Sequence, residues 1–208
     1  MQTRASQLML GIQLRNNWGG RRRGAGRKPR GARPGVPHRP RSGVCLRNPV
    51  HVTVRVRSHV WNLRSRRSFR VLQTALLATG ARRSFRVTHF SVQGNHVHLL
   101  VETSDRVSLA TGMKAMSVRM ARGLNSMMRC RGVVFADRYH SRPLRTPTEV
   151  RRALAYVLEN YQSHARRRGE RVHPHFVDRF ASSHPDNREL VAQPRTWLLS
   201  VGWRRALG

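Results

Sequence analysis

Two histidines separated by one residue stand in the stretch Asn95-His96-Val97-His98-Leu99-Leu100-Val101-Glu102. Its periodicity is two: Val97, Leu99 and Val101 fall on one face of an extended strand, and His96, His98 and Leu100 on the other. Imidazoles spaced this way on a strand point in the same direction and can share one divalent cation through ring nitrogens. A second pair of chemistry-bearing residues lies in Arg151-Arg152-Ala153-Leu154-Ala155-Tyr156-Val157-Leu158-Glu159-Asn160. On a helix turning about 100° per residue, Asn160 is about 40° round from Tyr156 and one turn along. The helix would present a phenol and a carboxamide side by side, away from its apolar stripe of Val150, Leu154, Val157, Leu158 and Tyr161. Tyr161 lies near the middle of that stripe and is expected in the core.

These residues need elements to hold them. Phe85 to Gln93 reads as a strand, and Gly94-Asn95 is a turn signal, so the histidines should sit just past the tip of a hairpin. Before it, Val52, Val54 and Val56 alternate with Thr53, Arg55 and Arg57, which predicts a half-buried first strand over 51–57. Ser68 to Ala81 carries Phe69, Leu72, Leu76 and Leu77 at helical spacing. From Ser108 to Met128 the apolar positions Leu109, Met113, Met116, Met120, Leu124 and Met127 step by threes and fours, a stripe best read as core. Residues 133–144 look extended. A last helix is expected from near Thr148, with Thr148 as its cap and Glu149 in its first turn, to about Arg167. Strand, helix, strand, strand, helix, strand, helix is a split βαβ pattern: an α+β, ferredoxin-like antiparallel sheet in which the first and third strands are central neighbours, followed by a C-terminal helix.

The 208 residues suit one domain of ordinary size with tails. Lys and Arg total 41 against nine Asp and Glu, a formal net charge of +32, and no acidic residue precedes Glu102. Such a chain is drawn to a polyanion, nucleic acid above all. A membrane partner is not expected, since no apolar run approaches the ~20 residues of a spanning helix. Cys45 and Cys130 offer neither a disulfide framework nor a zinc spacing, which points to a reducing compartment. Residues 15–47 hold eleven basic residues, no acidic ones and many Gly and Pro. We read 1–47 as a disordered basic tail, 48–167 as the folded domain and 168–208 as an extension that packs back on it. Within the tail, Arg27, Lys28 and Arg30 resemble the core of an AT-hook, although unspecific phosphate binding is the plainer reading. With them, Arg55 on the first strand and Lys114, Arg119 and Arg122 off the Met-rich stripe are the candidate DNA contacts.

His96-Val97-His98 on a strand, followed by a helix with Tyr156 and Asn160 four apart, resembles the single-tyrosine HUH transposases. The likeness is greatest to the REP-associated tyrosine transposases and the related insertion-sequence enzymes of bacteria. Phe135-Ala136-Asp137-Arg138-Tyr139-His140 adds to it, and the resemblance spans about residues 49–167. It implies that His96, His98 and Asn160 hold a divalent metal, Mg²⁺ or Mn²⁺, and that Tyr156 attacks DNA. The implied activity is cleavage and rejoining of single-stranded DNA through a 5′-phosphotyrosine, that is, DNA transposition. The implied partner is single-stranded or hairpin DNA, met by a monomer or homodimer without a nucleotide cofactor in the cytoplasm, at the nucleoid. One departure is that Asn160 is followed by Tyr161-Gln162, which sets a second tyrosine beside the first.

A phenol, with pKa near 10, ionises more readily than a serine hydroxyl and makes a workable covalent nucleophile. Two imidazoles and an amide are softer donors than magnesium prefers, so manganese should bind more tightly. The main rival is a catalytically silent, domesticated protein of the same fold that binds DNA or RNA hairpins. An RRM-type RNA binder is disfavoured, because its stacking aromatics are missing from both central strands. A two-metal hydrolase would need more carboxylates than the chain can bring together. His173-Pro174-His175 reads as loop.

Overall fold

The computed structural model describes Gly43, residues 45–173 and residues 175–207. Most of the expected tail, with Arg27, Lys28 and Arg30, lies outside the described residues. Five strands form one sheet in the order β2-β3-β4-β1-β5: β1 Val50–Arg55, β2 Ala81–Arg82, β3 Phe85–Val92, β4 His96–Thr103 and β5 His140–Pro143. Every pairing is antiparallel. The expected first and third strands are β1 and β4, and they are central neighbours. The fold is thus the ferredoxin-like α+β arrangement, with the two-residue β2 added at the edge. Much of 133–144 is irregular, and only β5 and a bridge between Val56 and Phe135 join the sheet.

The two faces of the sheet bury different things. Val97, Leu99 and Val101 of β4 and Val50, Val52 and Val54 of β1 share a core with α1 (Arg66–Thr79) and α2 (Arg106–Met127). Leu109, Met113, Met116, Met120 and Leu124 are all in it, as their spacing requires, and Met127 packs at its margin. Leu77 is the exception on α1, left exposed on the outer side of the helix. Both helices begin earlier than their apolar spacing indicates, because polar caps set their starts. Ser65 accepts from the Ser68 amide and Asp105 from the Ser108 amide, each satisfying an orphan donor of the first turn.

The opposite face receives α3, Pro147–Arg167. Its start is a reciprocal capping box: the Glu149 amide donates to Thr146 Oγ1 at 3.2 Å, and the Thr146 amide donates to Glu149 Oε2 at 3.3 Å. Thr146 therefore caps α3, not Thr148, and Pro147 takes the first helical position, where no amide is needed. Val150, Ala153, Leu154 and Val157 of α3 pack with Leu100 of β4 and with Leu198 and Leu199 of α4 (Trp197–Ser200).

The C-terminal residues close the sheet beside β3. The Val92 amide donates to the Phe180 carbonyl, the Ser182 amide to the Phe90 carbonyl, and the Ala192 amide to the Val87 carbonyl. Arg64 forks onto Asp178 at 2.7 and 2.9 Å and lies between the rings of Tyr161 and Phe180.

At Gly112 the Met-rich helix meets Phe85 so closely that an added Cβ would stand 2.2 Å from the ring. Alanine in a helix interior normally gains about 1 kcal/mol over glycine. Here the sign should reverse, with Gly112→Ala destabilising by about 1–3 kcal/mol through overpacking, as read from urea denaturation.

Candidate active site

Register places the site. In the β1–β4 pairing Thr53 stands opposite His98 and Arg55 opposite His96, while β3 sets Ser91 opposite His98 on the other side. The hairpin tip is pinned by main-chain bonds. The Gln93 amide donates to the His96 carbonyl, and the Asn95 and Gly94 carbonyls accept from the Val56 and Leu63 amides. The two imidazoles come out on one face, as alternation demands, with ring centroids 4.7 Å apart and planes nearly perpendicular at 86°.

Each ring has its Nδ1 engaged. His96 Nδ1 is 2.8 Å from Asn95 Oδ1. His98 Nδ1 is 3.1 Å from Thr53 Oγ1 and 3.3 Å from His51 Nε2. Such contacts orient an imidazole and fix its tautomer, which makes Nε2 the nitrogen suited to ligation. His98 is only 3% exposed. His51 is pushed down to about 4 by burial, with the proximity of His140 and Arg142 adding to the effect, so it is neutral beside His98 at ordinary pH.

Tyr156 reaches this cluster from α3. Its ring stands 5.0 Å from His98 and 5.8 Å from His51, edge-on to both, and it is 49% exposed. One turn on, Asn160 is 2% exposed, and its amide nitrogen has no hydrogen-bond partner among the described residues. The expectation that both residues lie off the buried stripe therefore holds for Tyr156 and fails for Asn160. The stripe turns through Val150, Leu154 and Val157 to the carboxamide. Tyr161, expected in the core, is instead half-buried outside that cluster, stacked on Phe176 at 5.5 Å with the Arg64 guanidinium 4.0 Å from its centroid.

The buried amide bears on metal binding. Which end of an Asn side chain is oxygen is an assignment from its hydrogen bonds, and here none holds the nitrogen. An oxygen in that position would be a buried acceptor, a suitable cation ligand. Two imidazoles and this carboxamide fit a single divalent ion in donor type. No cluster of three or more His, Cys, Asp or Glu suited to a metal occurs among the described residues, so the amide is the donor that would complete such a set.

The candidate DNA contacts divide. Arg55 is on the histidine face, opposite His96. Lys114, Arg119 and Arg122 are exposed on α2, across the sheet from the histidines. The residues overlooked by sequence reasoning are His51, Thr53, His140 and Arg142. Their alternation with β1 valines and their place in β5 were visible, but the approach of His51 and Thr53 to His98, and of His140 and Arg142 to His51, depends on register.

A family model for IS200-like transposases matches residues 49–160, more than half of the chain. The chain belongs to the IS200-like transposase family. Among solved structures it is similar to a REP-associated tyrosine transposase bound to a REP hairpin. That match has 14% identity and a TM-score of 0.52, covering 62% of this chain and 74% of that one. Another match is to a candidate transposase from Deinococcus radiodurans, at 15% identity and a TM-score of 0.40, covering 62% and 95%. No curated protein matches the chain. Among the described residues no helix is long and apolar enough to cross a membrane.

The same sheet face carries another histidine under α3. His89 on β3 is pushed down to about 4 by burial, against an upward pull from Glu102; Arg151, Glu159 and Arg204 line the cavity beside it. Unfolding restores a pKa near 6.5, so between that value and 4 the unfolded chain binds the extra proton. The neutral ring's contribution is complete above pH 6.5 and is lost as pH falls toward 4. The gap corresponds to roughly 3 kcal/mol. Urea melts of His89→Gln should show a flatter pH dependence over this window than the parent.

Proposed function

We propose that this transposase cleaves and rejoins single-stranded DNA with Tyr156 as nucleophile and His96, His98 and Asn160 as the ligands of one divalent cation. The observation that carries the reading is the half-exposed phenol standing 5.0 Å from the buried His98 ring, with a buried carboxamide one helical turn away whose nitrogen has no hydrogen-bond partner among the described residues. When bound, Mn²⁺ or Mg²⁺ would neutralise charge on the scissile phosphate and ease departure of the leaving oxygen.

The chain's own groups do the rest. Tyr156 Oη bonds to phosphorus while the bond to the 3′-oxygen breaks. The 5′-phosphate stays on the tyrosine, the phenolic proton is given up, and the 3′-oxygen leaves as a hydroxyl. One ester replaces another, so attack by a second 3′-hydroxyl can rejoin strands and release the phenol without ATP. Thr53 and Asn95 hold the two imidazoles, and neutral His51 adds no charge repulsion beside a cation. Arg55 and Arg142, opposite His51, draw the phosphate backbone to this face, and the basic tail (1–47) adds phosphate contacts without sequence preference.

The test uses a labelled single-stranded hairpin with Mn²⁺ and gel analysis under denaturing conditions. A covalent adduct should form, map to Tyr156 and vanish in Tyr156→Phe, whose DNA affinity should change less than about twofold. Tyr161→Phe, which keeps its ring under Arg64, should retain the adduct. His96→Ala, His98→Ala and EDTA should each abolish it. Binding without any adduct, across varied hairpins, would favour the silent binder instead.

A further inference from the structure

A cavity of about 720 Å³ opens at the N-terminal end of α3, beside Arg145 and Pro147. Arg47, Arg83, Arg86, Arg145 and Arg195 line it, together with Trp197. Among the described residues the single carboxylate there is Glu102, 5% exposed, and its charge is already used. It accepts from the Arg195 amide, the Thr196 amide and Thr196 Oγ1, and stands 3.5 Å from Arg86 Nε. The guanidiniums of Arg47, Arg83, Arg145 and Arg195 have no carboxylate partner among the described residues. Arg86 shows the surplus: burial and the positive Arg195 both lower its pKa. The cavity calls for an anion.

It also offers an aromatic surface. Trp197 is 49% exposed, yet its ring is seated, because an added Cβ at Gly202 would stand 2.6 Å from it. The Arg205 guanidinium lies 5.4 Å from its centroid. Asn48, Thr103 and Ser104 add polar groups to the wall. A seated indole among unpaired arginines is the combination that single-stranded nucleic acid uses, its bases stacking and its phosphates pairing with guanidinium.

We propose that this cavity binds an unpaired nucleotide of the DNA substrate, with its base on Trp197 and the flanking phosphates on Arg47, Arg83 and Arg145. The inference rests on the DNA-handling reading above and extends it to a second contact point. Six residues of β4 separate His96 from Glu102, about 20 Å of strand. From Pro147, at the cavity, to Tyr156 is about 14 Å of helix. One strand held at both places would run along α3 and enter the cleavage site in a fixed direction.

The experiment uses the full chain carrying Tyr156→Phe, in EDTA, so that binding is read without cleavage. Hairpins with a single-stranded overhang carry 5-iodouracil at successive overhang positions. Irradiation should crosslink one position to Trp197, identified by peptide mapping. Trp197→Ala, Arg83→Ala and Arg145→Ala should each weaken the overhang hairpin by ~5-fold or more and the blunt hairpin by less than ~2-fold. Trp197→Phe should bind nearly as the parent does, separating stacking from a folding defect.

Crosslinks confined to other residues, or equal weakening of blunt and overhang hairpins, would overturn the subsite. So would a free deoxynucleoside monophosphate that matches the oligonucleotide in affinity and removes the crosslink, since the occupant would then be a small molecule. A Trp197 crosslink in a protein whose parent forms no adduct would sustain the subsite while sinking the transesterase reading.

Discussion

Leu100 is the contact on which the site depends. The face of β4 that carries His96 and His98 must also hold a helix, and polar side chains give little apolar surface to hold it with. Leu100 supplies that surface next along the strand, fully buried against Val150, Leu154 and Val157. Burying such a side chain contributes about 2 kcal/mol and, just as important, fixes which side of α3 faces the sheet. With that side fixed, the helical repeat brings Tyr156 to the rim beside His98 and Asn160 into the interior. Helix and strand thus meet apolar at one end and chemical at the other.

Acidic residues are so few that their uses are informative. Glu102 holds the α4 segment to the sheet, Asp178 holds the C-terminal residues to Arg64, Asp105 caps α2, and the Glu149 carboxylate accepts from the Arg145 and Thr146 amides at the start of α3. Glu149 also pairs with Arg142. Four of nine carboxylates therefore act in the architecture, and many arginines are left uncompensated. Self-repulsion of such a surface is relieved when a polyanion binds, so the charge that burdens the free chain favours its complex with DNA.

Much of this was legible in the chain. Alternation in 95–102 placed both histidines on one face, because a strand has only two. The Met-rich stripe identified the core side of α2, and the order of elements predicted the sheet. Helix starts were misjudged where the cap, not the apolar spacing, sets the boundary, as at Thr146. The angular reading of α3 failed at its C-terminal part for a different reason. A wheel ranks residues by polarity, so it sent Asn160 outward and Tyr161 inward. In the fold a carboxamide occupies the buried side, and the aromatic ring finds Arg64 and Phe176 instead. The approach of His51 and Thr53 to His98 depends on antiparallel register, which no local pattern encodes. The C-terminal extension carried one overlooked signal: Glu102 is the first acid in the chain, and an acid at the end of a central strand needs partners from elsewhere.

Charge alone does not locate the working surface. Lys114, Arg119 and Arg122 stand exposed on α2, behind the sheet, while Arg55 and Arg142 stand in front of it. Long-range attraction drives DNA toward both sides, and it is screened within about 10 Å at moderate salt. Discrimination has to come from contacts that charge does not supply: a phenol set against oriented imidazoles, a buried amide, a seated indole. These lie on one side, along β4 and α3. An isotropic basic coat would gather DNA quickly, and the anisotropic placement of a few uncharged groups would then decide which strand lies across the tyrosine. On the proposed reading, that division is how a protein so strongly positive presents one productive face.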